Sequence, residues 1–193
     1  MTPFQQKVYL IRHGETEWTI ANKHTGLTDI PLTIEGKKQA QWLKTKLMHK
    51  HFKQVFCSPL LRAKETCEIT GFLERAEMDN DLVEWNYGDY EGKTTAEILA
   101  KDPSWTIFSK GAPHGETPHD VIFRAEKMIS KIKAISGDVI LFSSGHFLRS
   151  LAATWLHLPI KEGKFFLLST ASLSILGYER ETPAIVTWNQ TQS

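Results

Sequence analysis

The sequence has little of several features that mark specialised classes of protein. Its 193 residues contain only two cysteines, and the formal net charge is +1. Cys57 and Cys67 lack the spacing of zinc-binding or CxxC redox motifs, so we expect two reduced, buried thiols in a cytoplasmic protein. A net charge near zero argues against nucleic acid or an anionic membrane as partners. Long apolar runs are also missing, because the first run ends at Arg12, too short for a signal-peptide core or a membrane span.

Motifs for cofactors and metals are missing as well. The chain has no glycine-rich phosphate loop of the Walker type, no HExxH zinc motif and no acidic cluster suited to magnesium. We therefore expect no cofactor, no metal, and a small molecule as the partner. Any chemistry on that molecule has to be performed by side chains of the chain itself.

Apolar, β-rich segments alternate with amphipathic ones along the chain. Short buried strands are predicted over residues 8–11, 54–57 and 138–142, because these apolar runs are continuous and too short for helices. Helices are predicted over residues 33–50, after residue 59 to about 71, over 120–135, and after residue 146 to about 157. This alternation predicts one α/β domain over residues 1–193, with a parallel or mixed sheet covered on both faces.

The remaining segments carry weaker signals. We expect a weak strand or extended segment over residues 78–82, short helices over 95–100 and 103–109, and closing strands over 173–178 and 185–188. Residues 15–31 and 111–118 are predicted as loops. The first of these is long for a connection, and long ordered loops in compact domains are usually functional.

Basic and imidazole side chains follow the three best strands. The first strand runs into Arg12 and His13, the second is followed by Arg62, and the third is followed by His146. In an open α/β sheet the carboxyl ends of parallel strands face the ligand site, and helix N-termini point to the same edge. Each residue alone has an ordinary structural explanation, but together they predict an oxyanion site, most simply one for a phosphoryl group.

Histidine chemistry fits such a site. An imidazole has an unperturbed pKa of about 6.5 and is a good nucleophile near neutral pH. A phosphohistidine intermediate would split phosphoryl transfer into two steps while the arginines hold the phosphoryl oxygens. Glu84 lies beside Trp85 and Tyr87 and is the candidate proton donor to the leaving alcohol.

Several motifs now support a family resemblance that covers nearly the whole chain. The segment 12–16, RHGET, resembles the RHGE signature of the histidine phosphatase superfamily, in its phosphoglycerate-mutase-like branch. The segments 58–66, 82–88 and 144–146 resemble the second, acid and last motifs of that superfamily, and 113–117 is similar to a further loop motif. The motifs appear in order and are jointly very specific.

The resemblance implies a three-layer α/β/α sandwich with a mixed, mostly parallel sheet. It also implies roles for individual residues. The catalytic set would be His13 as the phosphorylated nucleophile, Glu84 as the proton donor, and His146, which also binds the phosphoryl group. Phosphate would be bound by Arg12 and Arg62, and the substrate by Thr25, Gly26, Trp85 and Tyr87.

One position departs from the family pattern. Many members carry a phosphate-binding asparagine where this chain has Thr19, so either the Thr19 hydroxyl or Asn22 would take over that role. The segments 24–33 and 85–92 look most like sugar-bisphosphate phosphatases of the sedoheptulose-bisphosphatase kind. That likeness implies a sugar phosphate as the substrate.

The leading hypothesis is a cofactor-independent phosphatase, a phosphoric monoester hydrolase. A phosphoglycerate mutase with the same site is the enzyme alternative, although the mutases carry arginine where this chain has Trp85. The other alternative is a non-catalytic module that binds a phosphorylated ligand. The oligomeric state, and substrate contact by His114 or His119, stay open at this point.

Overall fold

A computed structural model of the protein describes residues 5–192. Its strands and helices follow in chain order, together with four short 3-10 helices at Leu73–Arg75, Asn80–Leu82, Gly88–Tyr90 and Ile160–Phe165. The strands are β1 Val8–Arg12, β2 Gln54–Cys57, β3 Glu77–Met78, β4 Val139–Ser143, β5 Leu173–Glu179 and β6 Thr182–Gln190. The helices are α1 Glu17–Ile20, α2 Ile34–Leu47, α3 Leu61–Thr70, α4 Thr95–Leu99, α5 Ile107–Lys110, α6 Pro118–Lys133 and α7 Gly145–Trp155.

The strands form one mixed sheet in the order β3-β2-β4-β1-β5-β6. Strands β1, β2 and β4 are parallel to one another, with Val8 opposite Val139 and Cys57 opposite Phe142. Strand β5 runs antiparallel to β1, and β6 runs antiparallel to β5. The parallel centre brings the carboxyl ends of β1, β2 and β4 to the same edge of the sheet.

Successive residues of the central strands enter two different cores. In β1, Val8 and Leu10 belong to the core beneath α6 and α7, whereas Tyr9 and Ile11 belong to the core beneath α2 and α3. Side chains alternate across a strand, so a strand that is apolar throughout needs cover on both faces. The sheet and its two helical layers therefore form the predicted α/β/α sandwich.

The helices begin where the sequence carries capping residues. Thr33 accepts a hydrogen bond from the backbone N–H of Gly36 at 2.9 Å and starts α2. Thr117 and Asp120 form a reciprocal capping box at the start of α6, with Pro118 in the first turn. Among residues 5–192, no helix combines the length and apolarity that a membrane crossing requires.

Some local predictions were wrong. Strand β3 covers only Glu77–Met78, and the rest of the predicted strand over 78–82 is a 3-10 turn at Asn80–Leu82, because the Asp79 side chain caps it. The short helix α1 lies inside the segment predicted as a loop. Phe123 of α6 is apolar but 58% exposed, since the helical period carries it past the core-facing residues Val121 and Ala125.

Candidate active site

The ends of β1 and β4 open into a narrow pocket of about 90 Å³. That volume is room for about three water molecules, which suits a small polar group. Seven of the predicted site residues lie around it: Arg12, His13, Thr19, Thr25, Glu84, Tyr87 and His146. Five further residues complete the wall: Lys23, His24, Gly145, Arg149 and Leu168.

His13 is held rigidly at the end of β1. Its backbone N–H donates to the carbonyl of Ser143 at 3.0 Å, and its carbonyl accepts from the N–H of Ala171 at 2.9 Å. The ring nitrogen Nδ1 lies 2.8 Å from the carbonyl of Gly14, which can only accept, so we assign the proton to Nδ1. This tautomer leaves the lone pair of Nε2 free.

The electrostatic surroundings keep His13 neutral. Burial, followed by the positive charges of Arg62 and Arg12, lowers the pKa of His13 well below its usual value near 6.5. An imidazole that stays unprotonated at and below neutral pH retains the Nε2 lone pair that a nucleophile needs.

Arg12 presents one unused donor. Its Nη1 donates to the carbonyl of Leu168, while its buried Nε has no hydrogen-bond partner within residues 5–192. A Cβ built on Gly145 would lie 3.2 Å from both Cζ and Nε of Arg12, so the helix start of α7 packs directly against the guanidinium. A buried N–H without a partner is costly unless a ligand accepts its hydrogen bond.

Arg62 is fully buried, is not part of the pocket wall and holds the loop that carries Thr25, while its Nε, like that of Arg12, has no hydrogen-bond partner among residues 5–192. Its Nη1 donates to the carbonyl of Thr28 at 3.0 Å, and its Nη2 donates to those of Thr25 and Gly26 at 3.1 and 2.8 Å. From the other side, Glu91 accepts the N–H groups of Gly26 at 2.8 Å and of Thr28 at 3.2 Å. The backbone of Gly26 is therefore bonded to Arg62 and Glu91, and Gly26 does not line the pocket, although it was predicted to bind substrate.

Three backbone donors fix the Glu84 carboxylate. Oε1 accepts the N–H groups of Trp85 at 2.9 Å and of Phe147 at 2.8 Å, and Oε2 accepts that of His146 at 2.9 Å. Two of these donors belong to the first turn of α7, where the helix dipole attracts negative charge. Glu84 and His146 are thus held in one hydrogen-bonded unit, although 62 residues separate them in sequence.

Tyr87 orients the second imidazole. The Tyr87 hydroxyl oxygen lies 2.5 Å from Nδ1 of His146. Burial and the charge of Glu84 raise the pKa of Tyr87 well above its usual value, so the phenol keeps its proton and donates it. Burial, then Arg149, His24 and Arg12, lower the pKa of His146 well below its usual value. We therefore assign a neutral His146 whose Nε2–H is available as a donor.

Part of the pocket wall consists of residues that were not predicted from the sequence. His24 packs 4.8 Å from the Tyr87 ring, its Nε2 lies 3.2 Å from the Thr95 hydroxyl, and burial lowers its pKa to about 4. Two cations, Lys23 and Arg149, also line the pocket. Lys23 and His24 directly precede Thr25, and Arg149 lies one turn after His146. Their closeness in sequence to predicted site residues could have indicated that they line the pocket.

Thr19 lines the pocket, but its hydroxyl is engaged in the start of α1. It donates to the carbonyl of Thr16 at 2.8 Å and accepts from the N–H of Thr16 at 2.9 Å. Asn22, the alternative, is exposed and does not line the pocket. A phosphate contact by Thr19 remains a prediction that requires its hydroxyl to change partner.

Trp85 needs a correction, because its side chain is in the core instead of the pocket. It is 0% exposed, its Nε1 donates to the carbonyl of Glu116 at 3.0 Å, and its ring packs edge-on against Phe108. His114 and His119 are exposed and do not line the pocket, and His114 pairs with Asp89 at 2.9 Å.

Fold and site together define the class of protein. Parallel strand ends bring two neutral imidazoles, an arginine with an unused donor and a fixed carboxylate around a pocket of phosphate size, which is typical of an α/β enzyme of phosphoryl chemistry. The family model of the histidine phosphatase superfamily (branch 1) matches residues 8–191, and the chain belongs to that family.

Individual relatives agree with this assignment. The chain is 37% identical over 177 residues to a protein named acid phosphatase from Mycobacterium tuberculosis, covering 90% of this chain and 87% of that one. It is 33% identical over 196 residues to sedoheptulose 1,7-bisphosphatase from Saccharomyces cerevisiae, covering 84% and 72%. A solved structure of an open reading frame product from M. tuberculosis superposes with a TM-score of 0.92 at 34% identity, covering 96% and 98%. Other relatives are named as phosphoglycerate mutases.

Proposed function

We propose that the protein hydrolyses a small phosphomonoester through a phosphohistidine on His13. The observation that carries the proposal is the state of His13, whose ring is neutral, buried and protonated on Nδ1. The lone pair of its Nε2 is therefore free to attack phosphorus. Arg12 Nε and His146 Nε2–H are the donors for the phosphoryl oxygens. Arg62 adds positive charge from behind the pocket.

The first step forms the bond between His13 Nε2 and phosphorus and breaks the P–O bond to the alcohol. Glu84 supplies the proton that the leaving oxygen needs. Its Oε2 accepts only one backbone N–H, which leaves a lone-pair direction for that proton. In the second step the Glu84 carboxylate accepts a proton from water, the water oxygen attacks phosphorus, and the P–N bond breaks to release inorganic phosphate.

A sugar phosphate is the substrate class that we propose. The pocket holds little more than the phosphoryl group, so the rest of the substrate lies at its outer edge, where Lys23 is exposed. Lys23 and Arg149 favour a second anionic group on the substrate. The likeness to a relative named sedoheptulose 1,7-bisphosphatase supports the same substrate class.

Trapping the intermediate tests the proposal. A labelled phosphomonoester is mixed with the protein and quenched in base, which preserves phosphohistidine, and the wild type should carry label that His13→Ala lacks. His119→Ala is the matched control, since His119 is exposed and outside the pocket, and it should be labelled like the wild type. Equal labelling of the His13 variant, or turnover that requires an added metal after chelation, would contradict the mechanism.

The fate of the phosphoryl group on unquenched phosphoenzyme separates the alternatives. A phosphatase passes it to water, so a chase with 3-phosphoglycerate should yield inorganic phosphate. A mutase would instead convert the acceptor to 2-phosphoglycerate without releasing phosphate, and a binding module would never become labelled. Comparing release from sugar monophosphates, sugar bisphosphates and phosphoglycerates then tests the substrate class.

A further inference from the structure

Arg124 lies on α6, outside the pocket, and all three nitrogens of its guanidinium donate hydrogen bonds. Nε and Nη2 donate to the two carboxylate oxygens of Glu116 at 2.7 and 2.9 Å. Nη1 donates to the backbone carbonyls of Asp81 at 2.7 Å and Val83 at 3.0 Å. The Arg124 side chain is 13% exposed and that of Glu116 is 19% exposed, so water screens this pair only weakly.

Glu116 holds the chain on the other side of Glu84. Its Oε2 accepts the N–H of Asn86 at 2.8 Å, and its backbone N–H donates to the carbonyl of Asn86 at 2.9 Å. Its carbonyl accepts the indole N–H of Trp85 at 3.0 Å. The ion pair therefore binds the backbone carbonyl of Val83, directly before Glu84, and the backbone N–H of Asn86, two residues after it.

Arg124 also contacts the turn that supplies the donors to Glu84. Its guanidinium lies 4.7 Å from the centre of the Phe147 ring, and the N–H of Phe147 donates to Glu84 Oε1. The same side chain thus touches the segment that carries Glu84 and the helix turn that orients the Glu84 carboxylate.

We propose that Arg124 and Glu116 form a positioning pair that holds Glu84 at the distance needed for proton transfer. The inference rests on the proposed function, in which Glu84 protonates the leaving group. Proton transfer depends steeply on placement, whereas the phosphoryl donors Arg12 and His146 do not contact the pair. Loosening the pair should therefore slow the chemical step more than it weakens substrate binding.

Leaving-group dependence tests this role. Arg124→Lys keeps the charge but cannot bond Glu116 and both carbonyls together, and Glu116→Gln removes the ion pair while keeping an acceptor for Asn86. For alkyl phosphates we expect kcat to fall by about 10-fold to 100-fold with KM changed by less than about threefold. For aryl phosphates with good leaving groups, which need little protonation, kcat should fall by less than about threefold.

Lys127→Met is the matched control. Lys127 lies on the same helix and pairs with the Asp81 carboxylate at 2.9 Å, but it makes no contact with the residues flanking Glu84. This variant should keep wild-type kcat on both substrates. Equal loss on alkyl and aryl phosphates in the Arg124 and Glu116 variants, in step with a lower fraction of folded protein, would show a merely structural role and overturn the inference.

Glu84→Gln separates this inference from the proposed function. Combining it with Arg124→Lys should give a double variant no slower on alkyl phosphates than Glu84→Gln alone, since both changes act through one group. If Glu84→Gln itself lacks leaving-group dependence, the proposed proton donor is wrong. If Glu84→Gln has that dependence and Arg124→Lys and Glu116→Gln do not, the positioning pair alone is wrong.

Discussion

At the scale of single residues, the site holds two neutral imidazoles in opposite tautomers. The Gly14 carbonyl accepts a hydrogen bond from Nδ1–H of His13, whereas the Tyr87 hydroxyl donates to Nδ1 of His146. One ring thereby offers a lone pair at Nε2 and the other offers an N–H. A nucleophile and an oxyanion donor can be made from the same residue type because each receives a different partner.

Tyr87→Phe should remove the tautomer control on His146 while preserving the ring packing. Without the donor to Nδ1, the proton of His146 can sit on either nitrogen, so the Nε2–H contact to the phosphoryl group is weakened. We expect kcat/KM to fall by about 10-fold, the loss of roughly one hydrogen bond to a charged group. Steady-state kinetics measures the loss, and nitrogen NMR shifts of His146 report its tautomer.

Tyr90→Phe is the control for that change. Tyr90 belongs to the same segment and packs against Trp105, and its ring is 5.4 Å from that of Trp105. Its activity should match the wild type. An unchanged His146 tautomer in Tyr87→Phe would mean that Tyr87 only fills space.

At the scale of elements, α2 packs unusually close to the loop that leaves β1. A Cβ built on Gly36 would lie 2.2 Å from the backbone oxygen of Glu15, and one built on Gly14 would lie 2.5 Å from the backbone oxygen of Gly36. The loop also binds the helix start, because the N–H of Thr33 donates to the carbonyl of Glu15 at 2.9 Å. Two facing glycines therefore set the distance between α2 and the loop that follows His13.

Gly36→Ala should destabilise the protein although alanine is the better helix former. Helix propensity alone favours the change by about 1 kcal/mol, but the added methyl meets backbone that cannot move aside. We expect a net loss of about 1–3 kcal/mol in the free energy of unfolding, measured by urea denaturation. Lys38→Ala, at an exposed position of the same helix, should change stability by less than about 0.5 kcal/mol. A stabilised Gly36 variant would show that the contact is not a constraint.

At the scale of the whole molecule, the buried histidines of the site lower the free energy of unfolding in acid. His13, His24 and His146 all have a pKa below the unfolded value near 6.5, so the unfolded chain binds protons that the folded chain refuses. Folding stability is therefore fully present above about pH 6.5 and is lost as the pH falls below it. For His24 the loss continues to about pH 4, where its folded pKa lies.

Urea denaturation at a series of pH values measures this cost. Each of the three histidines contributes a slope of up to about 1.4 kcal/mol per pH unit, so the wild type should lose up to about 4 kcal/mol per unit below pH 6. His24→Phe keeps an aromatic ring in the His24 site and should reduce the slope by about a third. His119→Ala, at an exposed position, should leave it unchanged, and an unaltered slope in His24→Phe would contradict the assignment.

Much of the architecture could be predicted because it depends on local pattern. Continuous apolar runs that are too short for helices indicate strands buried on both faces, and capping residues such as Thr33 and Thr117 mark helix starts from side-chain chemistry alone. Because ligand sites of open α/β sheets lie at the carboxyl ends of parallel strands, the sequence also predicted that Arg12, His13 and His146 lie at one edge of the sheet. The weak points were short segments, such as α1 and the turn at Asn80–Leu82, where a few capping hydrogen bonds outweigh propensity.

The sequence by itself therefore determined the fold class, the family and most of the pocket wall. Only the tertiary structure decided the side-chain directions in the irregular segment around Glu84, because no helical or strand period applies there. The side chain of Trp85 lies in the core as a result. The tertiary structure also decided that Arg62 holds the loop at Thr25 and that Arg124 reaches Val83, 41 residues away. Such contacts join chain segments that only folding brings together, so no local pattern encodes them.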